Sequence, residues 1–196
     1  MKALIQYDGL SEPEIWELLK KGDIHALSFF YQTYYADLFF YGKKFTSSPD
    51  LAKDCIQELF IRIWKKQKSI SKITACKAYL FKSYRRLLID KLKEGRKSVQ
   101  RDAFSSPGEV ELSIEDLTIE KEIDVQHHAL LESGLKSLSK KQKEIIYLRF
   151  YRDLSYQEIA DILDVNNQSV RNTVYEALKT LKKSMIIFLL MLAGLA

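Results

Sequence analysis

The chain has 196 residues, a formal net charge of +5, and 46% hydrophobic residue types, which is enough for a folded core. Seven Gly and three Pro against many Leu, Ile, Lys and Glu argue for a mostly helical protein. The only two cysteines, Cys55 and Cys76, sit in helical patterns rather than a CxxC spacing, so they read as reduced residues filling helix positions, not as a disulfide framework. Charge is placed unevenly: residues 1–97 carry 19 Lys/Arg against 11 Asp/Glu, residues 98–134 carry 2 against 9, and residues 135–196 carry 10 against 6. Two basic blocks separated by an acidic one suggest two modules that both face a polyanion.

The opening MKALIQYDGL lacks an apolar core of signal-peptide length. Ser11-Glu-Pro-Glu14 has the S-x-x-E form of a capping box and predicts a short helix to about Lys21, which Gly22-Asp23 ends while capping the next. From Ile24, Leu27, Phe30, Tyr34, Leu38 and Tyr41 recur at helical spacing, a stripe of unusual aromatic weight that reads as packed core. After a break at residues 42–48, Ser48-Pro49 restarts the chain as N-cap and first helical residue. The helix to about Lys68 buries Ile56, Leu59, Phe60 and Ile63, with Trp64 beside them, and shows Asp50, Lys53, Asp54, Gln57, Glu58 and Arg62 on its other face. That face is either a solvated surface or one that docks a partner.

A further helix is expected from about Lys72 to Gly95. Between Lys82 and Lys97 it carries seven basic residues against Asp90 and Glu94, interleaved with Tyr79, Phe81 and Tyr84. Basic side chains neutralise phosphates and aromatic rings stack on unpaired bases, so the segment is a candidate nucleic-acid surface. Residues 98–118 contain Ser-Ser-Pro-Gly and many carboxylates and read as an acidic linker. A second helical module starts near Ile119, with Ile123, Leu130, Leu131 and Leu135 apolar in its first helix. The adjacent His127 and His128 point in different directions on a helix and suggest no metal site. Ser139 and Gln142 form a second capping box, ahead of a helix bearing Ile145, Ile146, Leu148 and Arg149.

Residues 153–181 then read as two short helices joined by a tight turn. Ser155 and Glu158 form a third box, Leu154 and Ile159 are placed as a hydrophobic staple, and Ile159, Ala160 and Leu163 face inward. Asp164 sits at the turn, where a left-handed residue is expected, and Asn166 caps the last helix. Val170, Val174, Ala177, Leu178 and Leu181 form its buried stripe, leaving Asn167, Gln168, Arg171, Asn172, Tyr175 and Lys179 exposed. Asn and Gln pair with adenine edges and Arg with guanine in a major groove, so this is a candidate helix-turn-helix. The final MIIFLLMLAGLA is apolar for twelve residues, short of the ~18–20 that span a bilayer, and is expected to extend the last helix and pack on another apolar surface.

Two ordered blocks resemble the extracytoplasmic-function (ECF) branch of the sigma-70 family of RNA polymerase sigma factors. Asp54-Cys-Ile-Gln57-Glu58-Leu-Phe60-Ile-Arg-Ile-Trp64 resembles the family's D-x-x-Q-E-x-F-x-x-x-W, and Ala78-Tyr-Leu-Phe-Lys-Ser-Tyr-Arg-Arg-Leu-Leu-Ile-Asp90 the A-W-L-Y-R-I-A-R-N-L-A-I-D that follows it. Residues 154–171 resemble region 4, L-S-x-x-E-I-A-x-x-L-G-I-S-x-x-T-V-K. Arg86 stands where the family often has Asn, Tyr84 where it often has a small residue, Asp164 for the common turn Gly, and Lys140 for a common helix-start Pro.

The resemblance implies an all-α chain of two small helical domains, the second a helix-turn-helix. Residues 12–97 would be sigma region 2, 98–118 the acidic linker, 119–184 sigma region 4 and 185–196 an apolar tail. It implies that Asp54, Gln57 and Glu58 dock on core RNA polymerase, and that Lys82, Tyr84, Arg85, Arg86, Lys91 and Lys93 meet the promoter −10 element. Asn167, Gln168, Arg171, Asn172, Tyr175 and Lys179 would read the −35 element. An anti-sigma factor is an implied partner, a small-molecule substrate is not, and the setting is cytoplasmic. Two other readings stand beside it: a helix-turn-helix operator-binding regulator acting without core polymerase, and a helical interaction protein held at a membrane by its tail. No Gly-rich phosphate loop, metal-ligand spacing or nucleophile–base constellation suggests an enzyme or a cofactor.

Overall fold

In the computed structural model the described residues are 7–98 and 134–194, with side chains described over 7–95 and 134–183. The chain divides into two compact units, Met1–Gly108 and Glu109–Ala196. The described residues of both are helical, in line with the all-α expectation.

The first unit holds α1 (Glu12–Lys20), α2 (Ile24–Gly42), α3 (Pro49–Lys66), a 3-10 turn (Gln67–Ser69) and α4 (Cys76–Ser98). Local chemistry sets the starts. The Glu14 carboxylate accepts from the Ser11 backbone N–H at 2.8 Å, closing the box that opens α1. Gly22 adopts φ 97°, a conformation that only glycine enters cheaply, and the next residue, Asp23, caps α2 through the His25 N–H at 2.9 Å. Ser48 accepts from the Leu51 N–H at 3.3 Å ahead of Pro49, opening α3.

Packing is aromatic. Trp16 of α1 is fully buried, edge-on to Phe30 of α2 at 5.0 Å and to Tyr79 of α4 at 5.3 Å between ring centroids, so one indole joins three helices. Tyr41 of α2 meets Phe81 of α4 at 5.2 Å, and Tyr31 meets Phe60 of α3 at 5.2 Å. The expected stripe of α2 is buried at Phe30, Tyr34, Leu38 and Tyr41, with Ala26 buried where Leu27 was expected. Cys55 and Cys76 are free and buried in this core, and burial pushes their thiols up to about 11 and about 12.

The second unit holds α5 (Lys140–Phe150), α6 (Tyr156–Leu163) and α7 (Asn167–Gly194). Both predicted boxes close: Gln142 accepts from the Ser139 N–H and Glu158 from the Ser155 N–H, each at 2.8 Å. Asp164 ends α6 at φ 53°, ψ 47°, the left-handed geometry expected of the turn. Asn166 accepts from the Ser169 N–H at 2.6 Å and caps α7. Leu154, Ile159, Ala160, Val170 and Val174 are buried, and Leu135, Leu138, Ile146 and Ala177 form a cluster against which Leu181 packs. One expectation shifts by a register position and one fails outright. Ile162 is buried and Leu163 half-buried, while Leu178 is 45% exposed. Residues 99–133, which hold nearly all of the expected linker and most of the helix expected to begin near Ile119, lie outside the described residues. The backbone of α7 continues as one helix through the apolar tail to Gly194. Among the described residues no helix is long and apolar enough to cross a membrane.

Candidate nucleic-acid and partner interfaces

On α3, Asp54 and Gln57 are exposed one turn apart, and Ile61, 53% exposed, follows a turn later on the same face. An exposed isoleucine beside polar groups suits a docking surface. Sequence periodicity hid it, because Ile61 lies next to the apolar stripe of α3. Glu58, half-exposed, lies beside this face and is already engaged: it pairs with Arg62 of its own helix and with Lys91 of α4 at 3.4 Å. The Arg62 hydrogen bond, and then Lys91, hold its carboxyl below the usual glutamate value.

The basic residues of α4 separate by helical geometry. Lys82, Arg86 and Lys93 fall within about 40° of one another on a 3.6-residue turn, with Lys91 on the opposite side, towards Glu58. Arg86 and Lys93 are exposed, and Lys82 and Arg85 half-buried. A groove of about 240 Å³ runs between the last turns of α3 and the first and middle turns of α4, lined by Arg62, Lys66, Ile70, Tyr79, Ser83, Arg86 and Asp90 over Leu59, Ile63 and Leu87. Its cations come from two helices. Arg62 and Lys66 are additions to the residues expected from α4, and the basic run ending α3 was the available signal.

Tyr84 is a correction. It is fully buried, and its hydroxyl donates to the Ala52 carbonyl at 3.2 Å. A ring enclosed by α2, α3 and α4 has no face left for a base, so Tyr84 is a core residue rather than a −10 contact. Phe81 is likewise fully buried, while Tyr79, half-buried, keeps an edge on the groove.

In the second unit α6 and α7 place polar side chains on one surface. Gln168, Arg171, Asn172, Tyr175 and Lys179 are exposed and Asn167 half-exposed. The Arg171 Nε donates to Asn167 Oδ1 at 2.8 Å, the Asn167 amide donates to Gln157 Oε1 of α6 at 3.1 Å, and Gln168 donates to Asn172 Oδ1 at 2.9 Å. Tyr175, 66% exposed, stands clear of the core. A stiff helix with ordered Asn, Gln and Arg side chains has the chemistry for reading base edges in duplex DNA.

Family comparison agrees in both units. Residues 30–98 match the model for sigma-70 region 2 and residues 128–181 the model for sigma-70 region 4. RNA polymerase sigma factor SigV of Bacillus subtilis (strain 168) is 30% identical over 138 residues, covering 70% of this chain and 78% of that protein. The chain belongs to the sigma-70 family. Within it the ECF branch is indicated by ECF RNA polymerase sigma factor SigX of the same organism, 26% identical over 157 residues, covering 79% of this chain and 81% of the relative. The co-crystal structure of the sigma factor RpoE in complex with the anti-sigma factor NepR from Bartonella quintana shares the fold at a TM-score of 0.57 and 22% identity, covering 80% of this chain and 94% of that one. The protein is therefore an ECF sigma factor that acts with core RNA polymerase in promoter-specific initiation. Sigma factors are initiation factors rather than enzymes.

Proposed function

We propose that this sigma factor divides its work between the two units, with residues 12–97 acting as region 2 and 119–184 as region 4. Asp54 and Gln57, with Ile61 beside them and Glu58 holding α3 to α4, form the core-docking face. The α3–α4 groove, with Lys82, Arg85, Arg86 and Lys93 on α4, meets the −10 element. Its cations suit phosphates, and its apolar floor with the Tyr79 edge suits an unstacked base. Lys91, turned towards Glu58, acts through that contact. The surface of Asn167, Gln168, Arg171, Asn172, Tyr175 and Lys179 reads the −35 element as duplex. Two weak readers on one chain gain affinity through effective concentration.

The observation that carries the reading is the pairing, in one chain, of a cation-lined groove with a separate polar recognition helix. An operator-binding regulator accounts for only the second. The protein works in the cytoplasm, where core polymerase is, and has no enzymatic activity of its own. RpoE in its co-crystal is bound by an anti-sigma factor, and an inhibitor of that class is the partner expected here. Run-off transcription with purified bacterial core polymerase tests the reading. Promoter-dependent transcripts are expected, with Gln168→Ala and Arg171→Ala each weakening promoter use by about 1–3 kcal/mol while core binding is retained. DNA binding without core-dependent initiation would refute it.

A further inference from the structure

Tyr156, the first residue of α6, is half-exposed and is approached by two cations from two other helices. The guanidinium carbon of Arg149, on α5, lies 5.0 Å from the ring centroid, and that of Arg171, on α7, lies 5.1 Å from it. Each arginine has a second restraint. Arg149 Nη1 donates to the Leu154 carbonyl at 3.1 Å, and Arg171 Nε donates to Asn167, which is itself held by Gln157. Among the described residues neither guanidinium lies within ion-pair distance of a carboxylate, so both charges stay available to a polyanion.

A free arginine gives up much rotamer entropy when it is fixed on a base or a phosphate, and one already restrained gives up less. A ring under the guanidinium supplies that restraint without neutralising the charge, as a carboxylate would. We infer that Tyr156 is a positioning residue for promoter reading, its ring holding Arg171 towards a base edge and Arg149 towards the adjoining backbone phosphates. The inference rests on the proposed reading of α7 as the −35 recognition helix. Its chemistry assigns different jobs to the two arginines: loss of a base contact is sequence-selective, whereas loss of a phosphate contact weakens all sequences alike.

The test uses the full chain with purified bacterial core polymerase. The holoenzyme selects from a duplex library randomised across the upstream element, and the enriched sequences then serve as probes at several salt concentrations. Tyr156→Phe keeps the ring and is expected to retain the wild-type preference. Tyr156→Leu is expected to lose preference, roughly three- to thirty-fold, at the same base pair that Arg171→Ala affects, with other positions unchanged. Arg149→Ala is expected to weaken all probes alike and lower the salt slope by about 1. Wild-type preferences retained by Tyr156→Leu would overturn the inference. So would an erosion at every position with a lowered thermal midpoint, which marks a merely structural ring. If the wild-type holoenzyme enriches no upstream sequence, the reading of α7 fails and the inference falls with it. If it enriches one and Tyr156→Leu enriches the same one, only the inference fails.

Discussion

Gly42→Ala tests how α2, α3 and α4 close on one another. A Cβ at this last residue of α2 would overlap the Tyr84 hydroxyl and stand 3.0 Å from Tyr84 Cζ and 3.2 Å from the Ala52 Cβ. Tyr84 cannot yield outward, because it is fully buried and its hydroxyl donates to the Ala52 carbonyl. Overpacking of this kind costs about 1–3 kcal/mol, and displacing the hydroxyl adds about 0.5–1.5 kcal/mol for the hydrogen bond. The better helix propensity of alanine returns at most about 1 kcal/mol, and less at a helix end. A net loss of about 1–3 kcal/mol is expected.

Tyr84→Phe removes the atom that clashes. Alone it costs about 1 kcal/mol for the lost hydrogen bond. Combined with Gly42→Ala it should cost less than the sum of the two, with a coupling of about 1 kcal/mol, because the contacts with Cζ and Ala52 persist. Urea unfolding followed by tryptophan fluorescence isolates the effect, since Trp16 and Trp64 are the chain's two tryptophans and both lie in the first unit. An unchanged midpoint in Gly42→Ala, or strict additivity in the double variant, would refute the packing argument and reopen the placement of Tyr84 in the core.

The other expectations concern single local devices. Asp164→Gly should stabilise the second unit by up to about 1 kcal/mol, since Gly removes the left-handed strain at φ 53° but adds unfolded-state entropy, whereas Asp164→Val should destabilise it; calorimetry reads both. Ser155→Ala opens the box with Glu158 and should cost about 1 kcal/mol, read as a lower thermal midpoint for the second unit. Glu58 has a folded-state pKa below its ordinary value of 4.5, so its contribution is present above that value and is lost as pH falls through the lowered one. The carboxylate is partly solvent-screened, so Glu58→Gln should remove only about 0.2–1 kcal/mol of the stability difference between pH 7 and pH 3. Urea titrations at the two pH values measure this.

Much of the fold was legible because it is written in short-range grammar. Ser11 with Glu14, Ser139 with Gln142 and Ser155 with Glu158 each solve a helix start within four residues, and Asp164 solves a turn by itself. What was not legible depends on how helices cross. Ala26 or Leu27, and Ile162 or Leu163, are adjacent residues at the border of one stripe, and only the neighbouring helix decides which is covered. The α3–α4 groove and the ring between Arg149 and Arg171 join residues of different helices, so no window along the chain contains them. Tyr84 is a different kind of miss. It continues the stripe of Leu80 and Phe81 towards Leu87 and Leu88, all buried, so its period argued for the core while its basic neighbours argued for DNA.

The same crossing of α3 and α4 decides which substitution tests core docking cleanly. Glu58 holds Arg62, which lines the groove, and Lys91, which belongs to α4. Reversing its charge would place a third cation between two others, release Arg62 and loosen the α3–α4 contact, so weakened polymerase binding by Glu58→Arg could arise from the groove or from the fold. Asp54 is exposed on the preceding turn, and among the described residues it forms no ion pair with Arg62 or Lys91. Asp54→Arg is expected to leave the urea midpoint within about 0.5 kcal/mol of wild type. It should also reduce retention by immobilised core polymerase, mainly through a slower association that is sensitive to salt. Glu58→Arg should lower both. If Asp54→Arg bound core normally while Glu58→Arg did not, the docking face on α3 would be misplaced, and the effect of Glu58 would belong to the joint between the helices.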